Sequence, residues 1–409
     1  MKKIILITSY FPYYPGEQFL ESEINYWAST NNIELILMPI GKSAIARSIP
    51  KNISLDKTFI PQKNIIREKI LYVFKTFGSK VFYYEIVTQI FKNLNRFFFG
   101  LKAVIKYIYF RDGLQQFLNK NQNSELVFYT YWHTEITYAL QSLKEEYNFK
   151  LVTRTHRFDI YEEAREFKYM PLRRQFINNI DKIFTITDGA KKYLMDTYGY
   201  NKHIIDTARL GVSEHNIICP SNLAHIFQIV SCSFLSEVKQ IDKLIDAISI
   251  MAKMNTQIEI IWTHIGSGKL ESTLKNKAIS QLKNRSNVTY EFLGELQNEQ
   301  IFQFYNKHNV DVFINVSSSE GVPVSIMEAM SCSIPIIAPD VGGISEMLID
   351  GYNGILLPSI PTAGEISEAL GKTSFFKKEI IRKKAYEIYK KNYDAQVNYP
   401  NFIKRVLEI

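Results

Sequence analysis

The sequence predicts an α/β protein built as two open, parallel-stranded domains, and three observations carry that reading. Short β-branched runs alternate with longer helical patterns along most of the chain, the pattern of parallel sheets layered with helices. The 409 residues exceed what one ordinary hydrophobic core accommodates. Between Asp206 and His225, "DTARLGVSEHNIICPSNLAH" loses all periodicity and reads as a linker. An apolar share of 46% with 22% charged residues belongs to a folded soluble chain and excludes a disordered one.

In chain order, "KIILITSY", "IELILMPI", "ELVFYTYW", "KLVTRTH" and "KIFTITD" supply strands of a first sheet. "FQIVSCSFL", "IEIIWTHIG", "VTYEFLG", "VDVFINVS", "IPIIAPD" and "GILLP" supply a second. The expected organisation is a first domain over 1–212, a second over 213–390, and a closing helix over 391–409 that returns to the first domain. A break in the last amphipathic stretch, Phe375 to Ile409, is expected at Tyr399–Pro400, because proline removes a helix N–H. Two such domains facing each other would place a ligand cleft at the carboxyl ends of both sets of strands.

The start "MKKIILITSYFPYY" imitates a secretory leader, but its apolar run is short, Tyr and Pro interrupt it, and no small-residue cleavage site follows. A buried first strand is the expectation. Cys219, Cys232 and Cys332 lack metal-ligand spacing and suit a reducing compartment, so a cytoplasmic location is expected.

The net charge of +8 is concentrated in residues 61–120, where eleven Lys/Arg face three acids. Aromatics crowd the same helix-like block, from Tyr72 and Phe74 to Phe97–Phe99, with Phe91 between. Bases interleaved with rings suit an anionic membrane surface; a pair of core-packed helices with solvated faces accounts for them equally. No nucleic-acid reader motif accompanies the charge, so nucleic acid is not an expected partner.

The densest chemistry lies in "SSSEGVPVSIMEAMSCSIPIIAPDVGG", where Glu320 precedes a helix and Glu328 sits inside it. Pro323 fits the first helical position, and the free N–H groups at Val324 and Ser325 would attract an anion such as a pyrophosphate. Both carboxylates can then reach one ligand, since a carboxylate accepts hydrogen bonds from a vicinal diol. From spacing alone the alternative stands beside it: Glu320 caps the helix and Glu328 faces solvent.

The run from Glu320 to Pro358, "EGVPVSIMEAMSCSIPIIAPDVGGISEMLIDGYNGILLP", resembles the signature of the retaining GT-B glycosyltransferases of family 4. Upstream, "VSCSFLSEVKQIDKLIDAI" resembles their phosphate-binding loop, with Lys239 at the pyrophosphate lysine. "IIWTHIGSGKLESTL" resembles their Gly-x-Gly turn at Gly266 and Gly268, and "VTYEFLGEL" the strand whose end, Leu293, Gly294 and Glu295, borders the nucleotide base. In the first half, "THRFDIYEE" resembles a His-x-x-Asp loop (His156, Asp159) and "FPYYPGEQFLESEI" an acceptor-side loop (Gly16, Glu17).

The resemblance implies a GT-B fold, two Rossmann-like α/β domains facing across a deep cleft. It implies hexose transfer from a nucleotide-sugar to a lipid-linked or oligosaccharide acceptor in bacterial capsule, O-antigen or exopolysaccharide synthesis, with no metal and no further cofactor. Glu328 would hold the ribose, and Glu320 the transferred sugar with help from Gly321, Val322, Pro323 and Val324. Lys239 would neutralise the departing diphosphate, and His156 would meet the donor sugar. Association with the inner face of the cell membrane would follow. Two positions depart from the family: Phe234 stands where an arginine is common, and Ser333 where glycine is. A non-catalytic nucleotide-sugar-binding relative, or a GT-B epimerase or phosphorylase, remains the alternative.

Overall fold

The computed structural model describes residues 2–14, 16–60, 65–89, 94–122, 124–223 and 225–409, and for 65–70 and 89 the backbone alone. The chain forms two compact units, Met1–Arg209 with Tyr399–Ile409, and Leu210–Asn398.

In the first unit the strands are β1 (Lys2–Thr8), β2 (Ile33–Pro39), β3 (Ser54–Leu55), β4 (Leu126–Thr130), β5 (Lys150–Thr155), β6 (Lys182–Thr185) and β7 (Ile205–Thr207). They pair in the order β3-β2-β1-β4-β5-β6-β7, and every pairing is parallel. The opening run is a strand whose Ile4, Ile5 and Leu6 are fully buried. The short edge strands β3 and β7 were not expected. Two or three residues carry too little alternation to register, and β7 takes up the start of the expected linker.

In the second unit, β8 (Ile226–Cys232), β9 (Glu259–Ile265), β10 (Val288–Gly294), β11 (Val312–Ile314), β12 (Ile336–Pro339) and β13 (Gly354–Leu357) pair in the order β10-β9-β8-β11-β12-β13, again all parallel. In each sheet the chain winds outward from its first strand, returns to that strand's other side, and winds outward again. That is the doubly wound arrangement, whose switch point opens a crevice at the strand carboxyl ends. Parallel pairing requires crossover connections, and inner strands such as β4, β8, β11 and β12 are buried as apolar runs.

The basic block folds as helices Ile65–Phe77, Lys80–Gln89 and Leu94–Lys120. Val104, Tyr107, Phe110, Leu114 and Phe117 pack into the first unit's core, whereas Phe74, Tyr83, Val87, Leu94 and Phe98 are exposed. One segment therefore has both faces that its composition allowed. Lys63, Phe91 and Lys92 lie outside the described residues, as do the side chains of Arg67, Glu68 and Lys69. No described helix is long and apolar enough to cross a membrane.

The break in the last stretch falls at Tyr393–Asp394, not at Tyr399–Pro400. Asp394 starts the new helix by accepting from the Gln396 N–H at 2.9 Å, and Pro400 stays within Ala395–Leu407. Phe402, Ile403 and Val406 of that helix are buried in the first unit.

Candidate functional site

The second sheet's strand order reverses between β8 and β11, and the loops leaving these two strands carry the candidate residues Lys239 and Glu320. After β8 the chain makes a turn at Glu237–Lys239 and enters helix Ile241–Met254. After β11 it runs from Asn315 to Pro323 and enters helix Val324–Ser331. The two loops are tied together: the Val238 carbonyl accepts the Ser318 N–H at 2.8 Å and its hydroxyl at 3.2 Å. Across the same gap the Lys239 Nζ donates to Glu320 Oε1 at 2.5 Å. The Asn315 amide donates to that oxygen at 3.1 Å, while its own Oδ1 accepts the Ser317 N–H at 2.8 Å. Glu320 is buried, with 8% of its surface exposed, so this pair is shielded from bulk water.

Glycines set the two loops. A Cβ on Gly342, at φ +60°, would lie 1.9 Å from the Glu320 carbonyl, and Gly343 donates to the Gly321 carbonyl at 2.7 Å. On the other side a Cβ on Gly266, at φ +132°, would lie 2.0 Å from the Ser233 carbonyl. The Gly-x-Gly turn thus supports the loop after β8 from beneath, and Leu235 donates to the Ser267 carbonyl at 3.0 Å. Gly268 faces the Leu235 backbone in the same way. Leu293 and Gly294 end the edge strand β10, where the Gly294 carbonyl accepts the Gly266 N–H at 2.7 Å; Glu295 follows, exposed.

Pro323 caps its helix in an extended conformation, ψ 116°, one residue before the first-turn position expected of it. Its rigid φ suits the cap as well as the first turn. Val324 and Ser325 open the helix, and N–H groups there have no intrahelical partner. The capping alternative for the two glutamates fails on both counts. No side chain caps this helix, and Glu328 is buried, with 5% exposed. Glu328 Oε1 accepts from the Asn298 amide at the start of helix Asn298–Lys307. Burial pushes the Glu328 carboxyl up to about 7, and the Asn298 hydrogen bond opposes that rise.

Asn298 and Asn315, which hold one oxygen of each glutamate, are absent from the sequence expectations. Both are brought in by the fold, Asn298 from beyond the end of β10 and Asn315 from the end of β11, and neither belongs to a spaced motif. Phe234, at the arginine position, is 60% exposed on the loop after β8. Ser333 adopts the left-handed conformation, φ +61°, that glycine would favour.

In the first unit the switch point lies between β1 and β4. There the Glu17 carboxylate, itself buried, accepts the N–H groups of Ser9 (2.9 Å), Tyr10 (2.7 Å) and Phe11 (2.7 Å) and the Trp132 indole (2.6 Å). It therefore holds the loop after β1 to the loop after β4, with Gly16 at φ +89° just before it. Asp159 is fully buried and accepts the backbone N–H groups of His133 (2.6 Å) and His156 (2.5 Å). Burial pushes its carboxyl up to about 6 against those two bonds. His156 follows β5, its ring centroid 4.6 Å from both Tyr131 and Trp132. Burial, and then the Arg154 charge, hold its imidazole neutral. Among the described residues neither ring nitrogen has a hydrogen-bond partner. No three His, Cys, Asp or Glu side chains among the described residues converge to hold a metal ion.

Residues 226–392 match the family model "Glycosyl transferases group 1". Among curated proteins, the uncharacterized glycosyltransferase MJ1178 of Methanocaldococcus jannaschii is 36% identical over 29% of this chain and 30% of its own length. The O-antigen biosynthesis glycosyltransferase WbnH of Escherichia coli is 40% identical over 26% of this chain and 28% of its own. The matches thus span under a third of these relatives. Among solved structures, the lipopolysaccharide outer core galactosyltransferase WaaB superposes with TM-score 0.68 at 16% identity, covering 99% of each chain. Anabaena HepE, in complex with UDP and glucose, superposes with TM-score 0.64 at 15% identity over all of both chains. Residues 226–392 of the second unit are thus similar to the glycosyl transferases group 1 domain, in a chain whose fold is that of the GT-B glycosyltransferases.

Proposed function

We propose that this chain is a retaining, metal-independent glycosyltransferase of the family 4 type. It transfers a hexose from a nucleotide-sugar to a lipid-linked or oligosaccharide acceptor in bacterial polysaccharide assembly. The observation that carries the reading is the Lys239–Glu320 contact at the β8/β11 switch point, beside the open start of helix Val324–Ser331. A cation and free helix N–H groups suit a diphosphate; two carboxylates beside them suit sugar and ribose hydroxyls.

In the reaction, the bond from the anomeric carbon to the phosphate oxygen breaks and a bond to the acceptor oxygen forms on the same face. The acceptor proton leaves with the nucleoside diphosphate, whose growing charge Lys239 and the Val324 and Ser325 N–H groups stabilise. Glu320 accepts hydrogen bonds from the sugar and Glu328 from the ribose. His156, kept neutral, serves a sugar hydroxyl. The relatives' names, with O-antigen synthesis and UDP among them, support a nucleotide-sugar donor and a polysaccharide product. The exposed rings of the basic block support a peripheral site on the anionic inner face of the cell membrane.

Incubation with a panel of nucleotide-sugars tests the reading. Slow donor hydrolysis that persists in chelator and disappears in Glu320→Ala supports it; an absolute need for added divalent metal overturns the metal-independent part. Flotation with anionic vesicles at low salt tests the membrane part, and protein that stays at the bottom counts against it. Phe234, exposed where the family has arginine, favours one second reading, a non-catalytic nucleotide-sugar-binding relative. Donor hydrolysis by the wild type excludes it.

A further inference from the structure

We propose that Asn298 is a positioning residue that keeps Glu328 oriented and ionised for the nucleotide's ribose. The inference rests on the donor-site reading above. Glu328 lies buried in helix Val324–Ser331, while Asn298 is exposed at the start of the neighbouring helix and donates its amide to Glu328 Oε1. Asn298 stands four residues beyond Gly294, at the end of β10, so one side chain links the edge of the sheet to the ribose carboxylate.

A carboxylate accepts both hydroxyls of a vicinal diol only when ionised, and the Asn298 amide bonds the ionised form. Burial alone drives Glu328 toward the protonated acid. The ionisable groups facing it are Cys232 at the end of β8, Tyr305 on the Asn298 helix and Cys332 on its own helix. Both thiols are pushed up to about 12 and the phenol well above 10, so these three neighbours stay neutral from pH 5 to 9. The Lys239 charge acts on Cys232 in the same cluster.

The test is calorimetric titration with UDP from pH 5.5 to 9 on wild type, Asn298→Ala and Asn298→Asp. Wild-type affinity is expected to rise through about pH 7. Asn298→Ala should lose about tenfold at pH 7 and recover most of it by pH 9. Asn298→Asp, which sets a second negative charge beside Glu328, should lose more and move the midpoint further up. A variant loss that is equal at every pH, or no loss, overturns the role of Asn298. No binding of any nucleotide or nucleotide-sugar by a folded wild type overturns the donor-site reading instead.

Discussion

Replacing Glu328 by glutamine should stabilise the second unit at alkaline pH while abolishing its use of donor. The folded carboxyl sits at about 7 against an ordinary 4.5, because burial disfavours the charged form. The folded state therefore holds the proton more tightly than the unfolded chain. This group's contribution to stability is complete below pH 4.5 and is lost as pH rises through 7. The loss is about 1 kcal/mol at pH 5 and about 3 kcal/mol at pH 8, since each tenfold change in proton affinity is worth about 1.4 kcal/mol. Glutamine does not ionise, so its advantage over wild type should grow by about 2 kcal/mol between those pH values. Urea unfolding at pH 5 and pH 8, followed by a probe within Leu210–Asn398, measures it; a local probe is needed because two units need not unfold in one step. The same difference between variant and wild type at both pH values would refute the reasoning. A more stable, inactive variant would show a binding site that carries a destabilising buried charge for its ligand.

On the proposed reading, Lys239 pairs at rest with Glu320 where a donor's diphosphate would sit. Glu320→Gln should therefore bind UDP severalfold more tightly while donor turnover falls about a hundredfold, read by calorimetry and product release. Ser333 closes its helix in a Schellman turn, with Ser333 and Ile334 donating to the Met330 and Ala329 carbonyls, both at 3.0 Å. Ser333→Gly should add about 1 kcal/mol in urea titration, because glycine relieves the left-handed strain. Phe234→Arg should raise UDP affinity about tenfold at low salt, and less at 1 M salt, where the added charge is screened.

The strands were legible because most are buried parallel strands, apolar runs bounded by turn residues, and all eleven expected runs fold as strands, the less buried edge strand β10 included. The candidate residues of the second unit were legible through their long motif, not through spacing. Eight positions between Glu320 and Glu328 are equally compatible with a cap and a solvated face, and only burial separates the cases. Asn298 and Asn315 were invisible for a different reason. Each is an ordinary amide whose meaning arises when strand order brings it beside a carboxylate distant in the chain or across a turn. Glu17 shows the converse, a motif residue whose carboxylate is engaged by four protein donors.

The central claim is that the β8/β11 switch point binds a diphosphate through Lys239. Titration of UDP into wild type and Lys239→Ala tests it most directly. Wild type should bind and the variant should lose tenfold or more, since a charge-assisted bond is removed and Glu320 is left facing the phosphates. Equal affinity in the two proteins would contradict it.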